Sequence, residues 1–262
     1  MKLRIVQLVP LLGCAIMFQT ATSVAQDNDP TMTLSIGTEF TSGTYGGDVD
    51  IEDTYVPLTA VFDYGNIAFR LTVPYLSVDA PEGTIFDPDG EPLPGSGAMT
   101  TESGLGDVIG SVTIFDVIKS QRLGLTMDLT GKVKFGTADE KKGLGTGEND
   151  YTMQADFYKF VERFTWLGSI GYKVRGDPAG VDLENVLMAS LGGAYRFNSD
   201  VKAGVFFDYR ESAFKGGDSI QEFSGFVSRR LNSDWRVQVY ALTGLTDSSP
   251  DWGAGLQIKK IL

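Results

Sequence analysis

The strongest constraint in this sequence is a two-residue alternation in which the charges keep to one side. Between 121 and 136, Leu123, Leu125, Met127, Leu129, Val133 and Phe135 share one parity, and Arg122, Thr126, Asp128, Thr130, Lys132 and Lys134 share the other. Successive side chains of a strand point to opposite faces, so this segment predicts a ribbon that is greasy on one side and ionised on the other. The pattern recurs at 67–75, where Ile67, Phe69, Leu71, Val73 and Tyr75 oppose Arg70 and Thr72. At 164–175, Phe164, Trp166, Ile170, Tyr172 and Val174 oppose Lys173 and Arg175. At 201–210, Val201, Ala203, Val205, Phe207 and Tyr209 oppose Lys202, Asp208 and Arg210. At 235–245, Trp235, Val237, Val239, Ala241 and Leu245 oppose Arg236 and Gln238, while 107–118 and 219–231 alternate more weakly.

The connections alternate as well. Short turn signals stand at Gly65-Asn66, Ser120-Gln121, Glu162-Arg163, Asn198-Ser199-Asp200 and Asn232-Ser233-Asp234. Longer polar, glycine-rich stretches lie between them, near 42–50, 78–103, 137–149, 176–184, 211–218 and 246–251. Five turns and six loops imply twelve strands, with both chain ends on the side of the short turns. A soluble sandwich would alternate too. However, a twelve-strand cylinder is roughly 24 Å across, and apolar faces built mainly from Leu, Val, Ala and Gly would not fill it. Short turns at one end and long loops at the other are the habit of outer-membrane barrels. Aromatic residues near strand ends (Tyr75, Phe164, Trp166, Tyr195, Phe197, Tyr209, Trp235 and Trp252) fit interfacial girdles. Lipid tolerates no open backbone hydrogen-bonding groups, so the sheet must close. The expected fold is therefore all-β: a closed antiparallel transmembrane barrel of about twelve strands, with short periplasmic turns and long extracellular loops.

Residues 1–25 read as a secretory signal. Lys2 and Arg4 precede an apolar stretch from Ile5 to Phe18, and Ser23-Val24-Ala25 supplies the small residues for cleavage before Gln26. Residues 26–262 then form the barrel. Leu11-Leu12-Gly13-Cys14 offers a rival lipoprotein-type site at Cys14, against which stands the shortness of the apolar run before it. A membrane helix is disfavoured by Pro10, Gln19 and the length of the stretch. The chain has no histidine, which removes His-based triads, general bases and metal ligands. The net charge of −12, without a basic run, argues against nucleic acid. No cofactor and no enzymatic activity are expected. Asp87-Pro-Asp-Gly-Glu91 looks like a fragment of a calcium loop but lacks the remaining ligand spacing.

Several stretches resemble a known family. Asp53-Thr-Tyr-Val-Pro-Leu58, Val73-Pro-Tyr75, Ser103-Gly-Leu-Gly-Asp107, Lys132-Val-Lys-Phe-Gly-Thr-Ala-Asp139, Leu144-Gly-Thr-Gly147 and Asp150-Tyr151 are similar to the outer-membrane barrels labelled "putative MetA-pathway of phenol degradation". The resemblance implies passage of small, aromatic or hydrophobic compounds across the outer membrane. Three departures stand out: Gly136 replaces the family's usual proline, the last residue is Leu262 rather than an aromatic, and Lys260 falls on the apolar face.

The charged parity nominates a lumen: Arg70, Arg122, Asp128, Lys132, Lys134, Asp156, Lys173, Arg175, Lys202, Asp208, Arg210, Arg236 and Lys259. These thirteen positions are ten basic and three acidic, so a basic lumen is expected, with the acidic surplus in loops, including Asp53 and Asp150. Such charges either set selectivity along a solute path or pair with one another and plug the bore. The expected function is passive passage of small, aromatic or anionic molecules. The alternative is a structural or surface-interaction barrel with a plugged lumen. Expected partners are outer-membrane lipid, lipopolysaccharide and a small solute, with the barrel a monomer because closure leaves no edge needing a partner.

Overall fold

A computed structural model describes residues 30–86, 92 and 95–262, together with the backbone of 10–11 and 15–16. Cys14, the Ala25 cleavage point and the Asp87–Glu91 turn lie outside the described residues. Pro10–Leu11 pairs with Ala15–Ile16, apart from the main sheet.

The main sheet has thirteen strands. They are β1 (Thr31–Gly43), β2 (Ile51–Tyr64), β3 (Ile67–Pro81), β4 (Met99–Leu105), β5 (Val108–Ser120), β6 (Leu125–Phe135) and β7 (Asp150–Val161). There follow β8 (Phe164–Val174), β9 (Val186–Arg196), β10 (Val201–Arg210), β11 (Ile220–Arg230), β12 (Trp235–Gly244) and β13 (Trp252–Ile261). Every pairing is antiparallel, strands adjacent in sequence pair except β4 with β5, and β13 pairs back onto β1, so the ring is closed. Twelve staves make the wall, because β4 and β5 share one row. Both lie along β3, β4 against Tyr75–Pro81 and β5 against Ile67–Thr72.

The break between β4 and β5 at Gly106-Asp107 is why alternation is weak there. Gly106 donates its amide to Pro74 O at 3.0 Å, and a Cβ on Gly106 would sit 2.8 Å from a Leu76 methyl. The register shifts a second time within β5, between Ile114 and Ile118, where Asp116 takes φ 56° and Phe115 turns to the buried side.

The burial pattern is inside out relative to a soluble protein. Leu58, Phe69, Leu71, Ile170, Leu191, Val205 and Val239 are exposed on the outer face, Leu191 at 63%. Thr72, Asp128, Thr130, Lys134, Asp156 and Lys173 are buried within the bore, Asp156 at 0%. Hydroxyl pairs step across the inner wall at 3.0 Å between Thr59 and Thr72, 3.0 Å between Thr113 and Thr130, and 2.7 Å between Ser169 and Ser190. An apolar outer band with a polar interior is the arrangement of a membrane-spanning barrel and the reverse of a water-soluble one. Among the described residues no helix is long and apolar enough to cross a membrane.

Aromatic residues collect at both rims of the outer face. Phe164 and Trp166 meet edge-on at 4.8 Å, Tyr195 and Phe197 at 5.1 Å, and Phe40 and Trp252 at 5.3 Å. Lys260, unexpected on an apolar face, holds its ammonium 5.5 Å above the Trp235 ring at the short-turn rim.

Candidate functional site: the barrel lumen

Every nominated residue but Arg122 turns inward as parity requires, from β3, β6, β7, β8, β10, β12 and β13, and the bore divides into three levels. The long-loop mouth is occupied by loop 136–149. Its anchor is Lys134, whose ammonium donates to Asp107 Oδ2 at 2.9 Å and Thr146 Oγ1 at 3.1 Å and lies 3.5 Å from Asp150 Oδ2. Asp107 Oδ1 in turn accepts the amides of Thr137 at 2.9 Å and Ala138 at 2.8 Å. This carboxylate thus satisfies both a buried ammonium and the turning backbone, which is how the break after β4 holds the loop.

The loop continues as a short 3₁₀ turn, Glu140–Lys142, capped by Asp139 and ended by Gly143 at φ 67°. Leu144 then drops into an apolar cluster with Ile51, Tyr55, Leu76, Val78 and Phe86. Phe86 reaches this cluster from the loop after β3, tied by its amide to Gly143 O at 2.7 Å. Gly136 donates its amide to Asn149 Oδ1 at 2.9 Å, and a Cβ there would stand 2.2 Å from Gly147 O. Proline at this position would lose the bond, so the glycine fits this chain's own loop.

Below the mouth, cations and carboxylates share the bore. Lys132, Lys173, Arg210, Asp208 and Glu222 line one cavity. Glu39 and Asp53 stand on the neighbouring wall, both buried on the inner face of β1 and β2. Asp53 accepts from Thr41, and Glu39 accepts from the Tyr240 hydroxyl. Tyr240 spans Gly255 to reach Glu39, its ring lying where a Cβ of Gly255 would fall, 2.2 Å away. One side of the lower wall is apolar: Tyr158, Leu167, Ala194, Phe206, Phe226 and Leu242 form a cluster inside the bore. Phe206 and Phe226 rest on Gly192 and Gly204, which have no side chain to push them off.

The lowest level carries Arg70, Lys202, Arg236 and Lys259, each within four residues of a short-turn end of its strand. Arg236 and Lys259 are direct register partners.

Two sequence expectations need correction. Arg122 does not line the lumen: it is exposed in the turn between β5 and β6, because β6 begins only at Leu125 and Gly124 turns the chain with φ 61°. The lumen is also not predominantly basic. Asp53 and Asp150, assigned to loops, are buried on the inner face, and Glu39, Asp63, Asp107 and Glu222 add further inward carboxylates. The parity signal was present in Ile51–Tyr64, but inward Ile51, Tyr55, Pro57 and Val61 interrupt the polar face and hide it. Arg70, Lys132, Lys134, Lys173, Arg175, Asp128 and Asp156 are buried, while Lys202, Asp208, Arg210 and Arg236 are half-buried. Arg175 sits just past the end of β8. Among the described residues no cluster of three or more acidic, cysteine or histidine side chains is placed to hold a metal.

The model of the family "Putative MetA-pathway of phenol degradation" matches residues 22–258. The chain belongs to this family. Four residues from the stretches that resemble the MetA-pathway family build the mouth: Asp107, Lys134, Leu144 and Asp150. Among solved structures, the chain is similar to an outer membrane channel from Pseudomonas putida F1, with 11% identity and a TM-score of 0.72 over 93% of this chain and 100% of that one. It is also similar to the KdgM porin, at 9% identity and a TM-score of 0.55 over 87% of this chain and 98% of that one. The NanC porin aligns at 11% identity with a TM-score of 0.54, over the same shares of the two chains. At these identities the likeness is one of fold: the outer-membrane barrel. No curated protein sequence matches the chain.

Proposed function

We propose that this protein is a passive outer-membrane channel for small molecules, with no chemistry of its own. One observation carries the reading. A closed barrel holds both signs of charge around one cavity, Lys132, Lys173 and Arg210 with Asp208 and Glu222. Such a lining orients a dipolar or charged solute as it passes and discriminates by charge and width. The solved relatives by fold are named as channels and porins, which supports the same reading. The candidate selectivity residues are those of this cavity and the neighbouring wall together with the lower ring. The leader is cleaved near Ala25, and the outer face meets lipid and lipopolysaccharide as a monomer.

A second reading is favoured by the mouth: the Lys134–Asp107 anchor and the Leu144 cluster pack loop 136–149 tightly, as a sealed structural barrel would. Purified protein in liposomes separates the two. Osmotic swelling in small sugars and organic acids, with ion conductance in planar bilayers, is the expected outcome for a channel. Vesicles that remain sealed at high protein density would leave only the structural barrel.

A further inference from the structure

We infer that Arg70, Lys202, Arg236 and Lys259 form a binding site at the short-turn end of the lumen for small organic carboxylates with an apolar body. This deepens the channel reading and rests on it only for the solute's route. The four cations come from β3, β10, β12 and β13 and share one end of the bore. Arg70 is 6% exposed, and none of its three guanidinium nitrogens has a hydrogen-bond partner. Lys259 is also 6% exposed, and its ammonium likewise has none. Lys259 feels Arg70, Arg236 and, as its one acid, Asp63; Arg70 feels Asp63 and Asp156.

Burying ionised groups without hydrogen-bonding partners is costly, and like charges side by side add to it. An oxyanion between Arg70 and Lys259 offsets both costs, since a planar carboxylate accepts from a guanidinium fork and an ammonium together. The apolar body is called for by what stands directly above. Lys202 lies 5.9 Å from the centre of the Phe226 ring, and Phe226 belongs to the apolar cluster with Phe206 and Leu242. A carboxylate at the ring of cations would thus lay its remaining atoms against this patch rather than in water.

The test uses the purified full-length barrel in detergent, with benzoate and acetate as probes against chloride at constant ionic strength. Benzoate is expected to raise the unfolding temperature in a saturable way, and more strongly than acetate. The double variant Arg70→Gln/Lys259→Gln should weaken benzoate about tenfold, while Arg122→Gln in the exposed turn leaves it unchanged. Without benzoate, the double variant should unfold at or above the wild-type temperature, because unbalanced charge has been removed; Arg70→Lys, which keeps charge and loses the fork, should weaken benzoate by less. Equal benzoate affinity in the double variant, or a benzoate effect no greater than that of chloride, overturns the site. Sealed liposomes with benzoate binding intact would overturn the channel and leave the site standing.

Discussion

The two ends of the bore are built on opposite rules. At the long-loop mouth the central ion pair is tied: Lys134 to Asp107 and Thr146, and Asp107 to two loop amides. At the short-turn end, Arg70 and Lys259 lie buried without hydrogen-bonded partners. The contrast teaches where the recognisable sequence goes. The stretches between Ser103 and Tyr151 that resemble the family gather at the mouth and fix a loop, which is construction. The short-turn end carries none of those stretches, so its chemistry is read only after the barrel brings β3, β10, β12 and β13 around one opening.

The largest expected effect breaks the tied end. Asp107→Ala leaves the buried Lys134 ammonium with the Thr146 hydroxyl and the more distant Asp150 carboxylate, and frees the Thr137 and Ala138 amides. The loss should be about 3–5 kcal/mol of stability, measured by urea unfolding in micelles. Its conductance should also rise as loop 136–149 comes loose. An unchanged midpoint would show that the loop is held by the Leu144 cluster instead. Next, Val239→Arg puts a charge on the mid-wall outer face and should cost roughly 2–4 kcal/mol. The same assay in bilayers checks it, and a neutral result would reverse the assignment of the two faces. Gly136→Pro should cost about 2 kcal/mol, through the lost Asn149 bond and the clash at Gly147 O, and would show whether the mouth accepts the relatives' residue.

The smallest effect belongs to the short-turn rim outside the bore. Exposed Asp200 accepts from Arg230 at 3.0 Å, and this bond holds its carboxyl below the ordinary range. A depressed carboxyl stabilises the folded state above its unfolded pKa, and that contribution fades as the pH falls through the folded value. Asp200→Asn should therefore shift the unfolding midpoint slightly at neutral pH and not at all in strong acid. Salt should erase the difference, since the pair is open to solvent.

How much of this was legible beforehand follows from parity. Strands such as Leu125–Phe135 and Phe164–Val174 announced themselves because their faces are pure, and the turns at Gly65-Asn66 and Asn232-Ser233-Asp234 fixed the count of staves. Parity failed where the inner wall is not polar. Phe206 and Phe226 share a face with Lys202 and Asp208 or Glu222, so the apolar patch in the bore was invisible until Gly192 and Gly204 were seen beneath the rings. It failed again at Arg122, where alternation was carried beyond the strand into a turn. The acids Glu39, Asp53 and Glu222 were missed for the first reason. The Asp107 anchor was missed because it depends on a contact 27 residues away, which local spacing does not encode.

One detail of the wall governs calibre. Tyr240 can lie flat over Gly255 and reach Glu39 only because nothing projects from that glycine. A single methyl group there would tip the ring toward the axis and pull its hydroxyl off the carboxylate. The aperture would then narrow like an iris while the number of staves, their tilt and their pairing stayed the same.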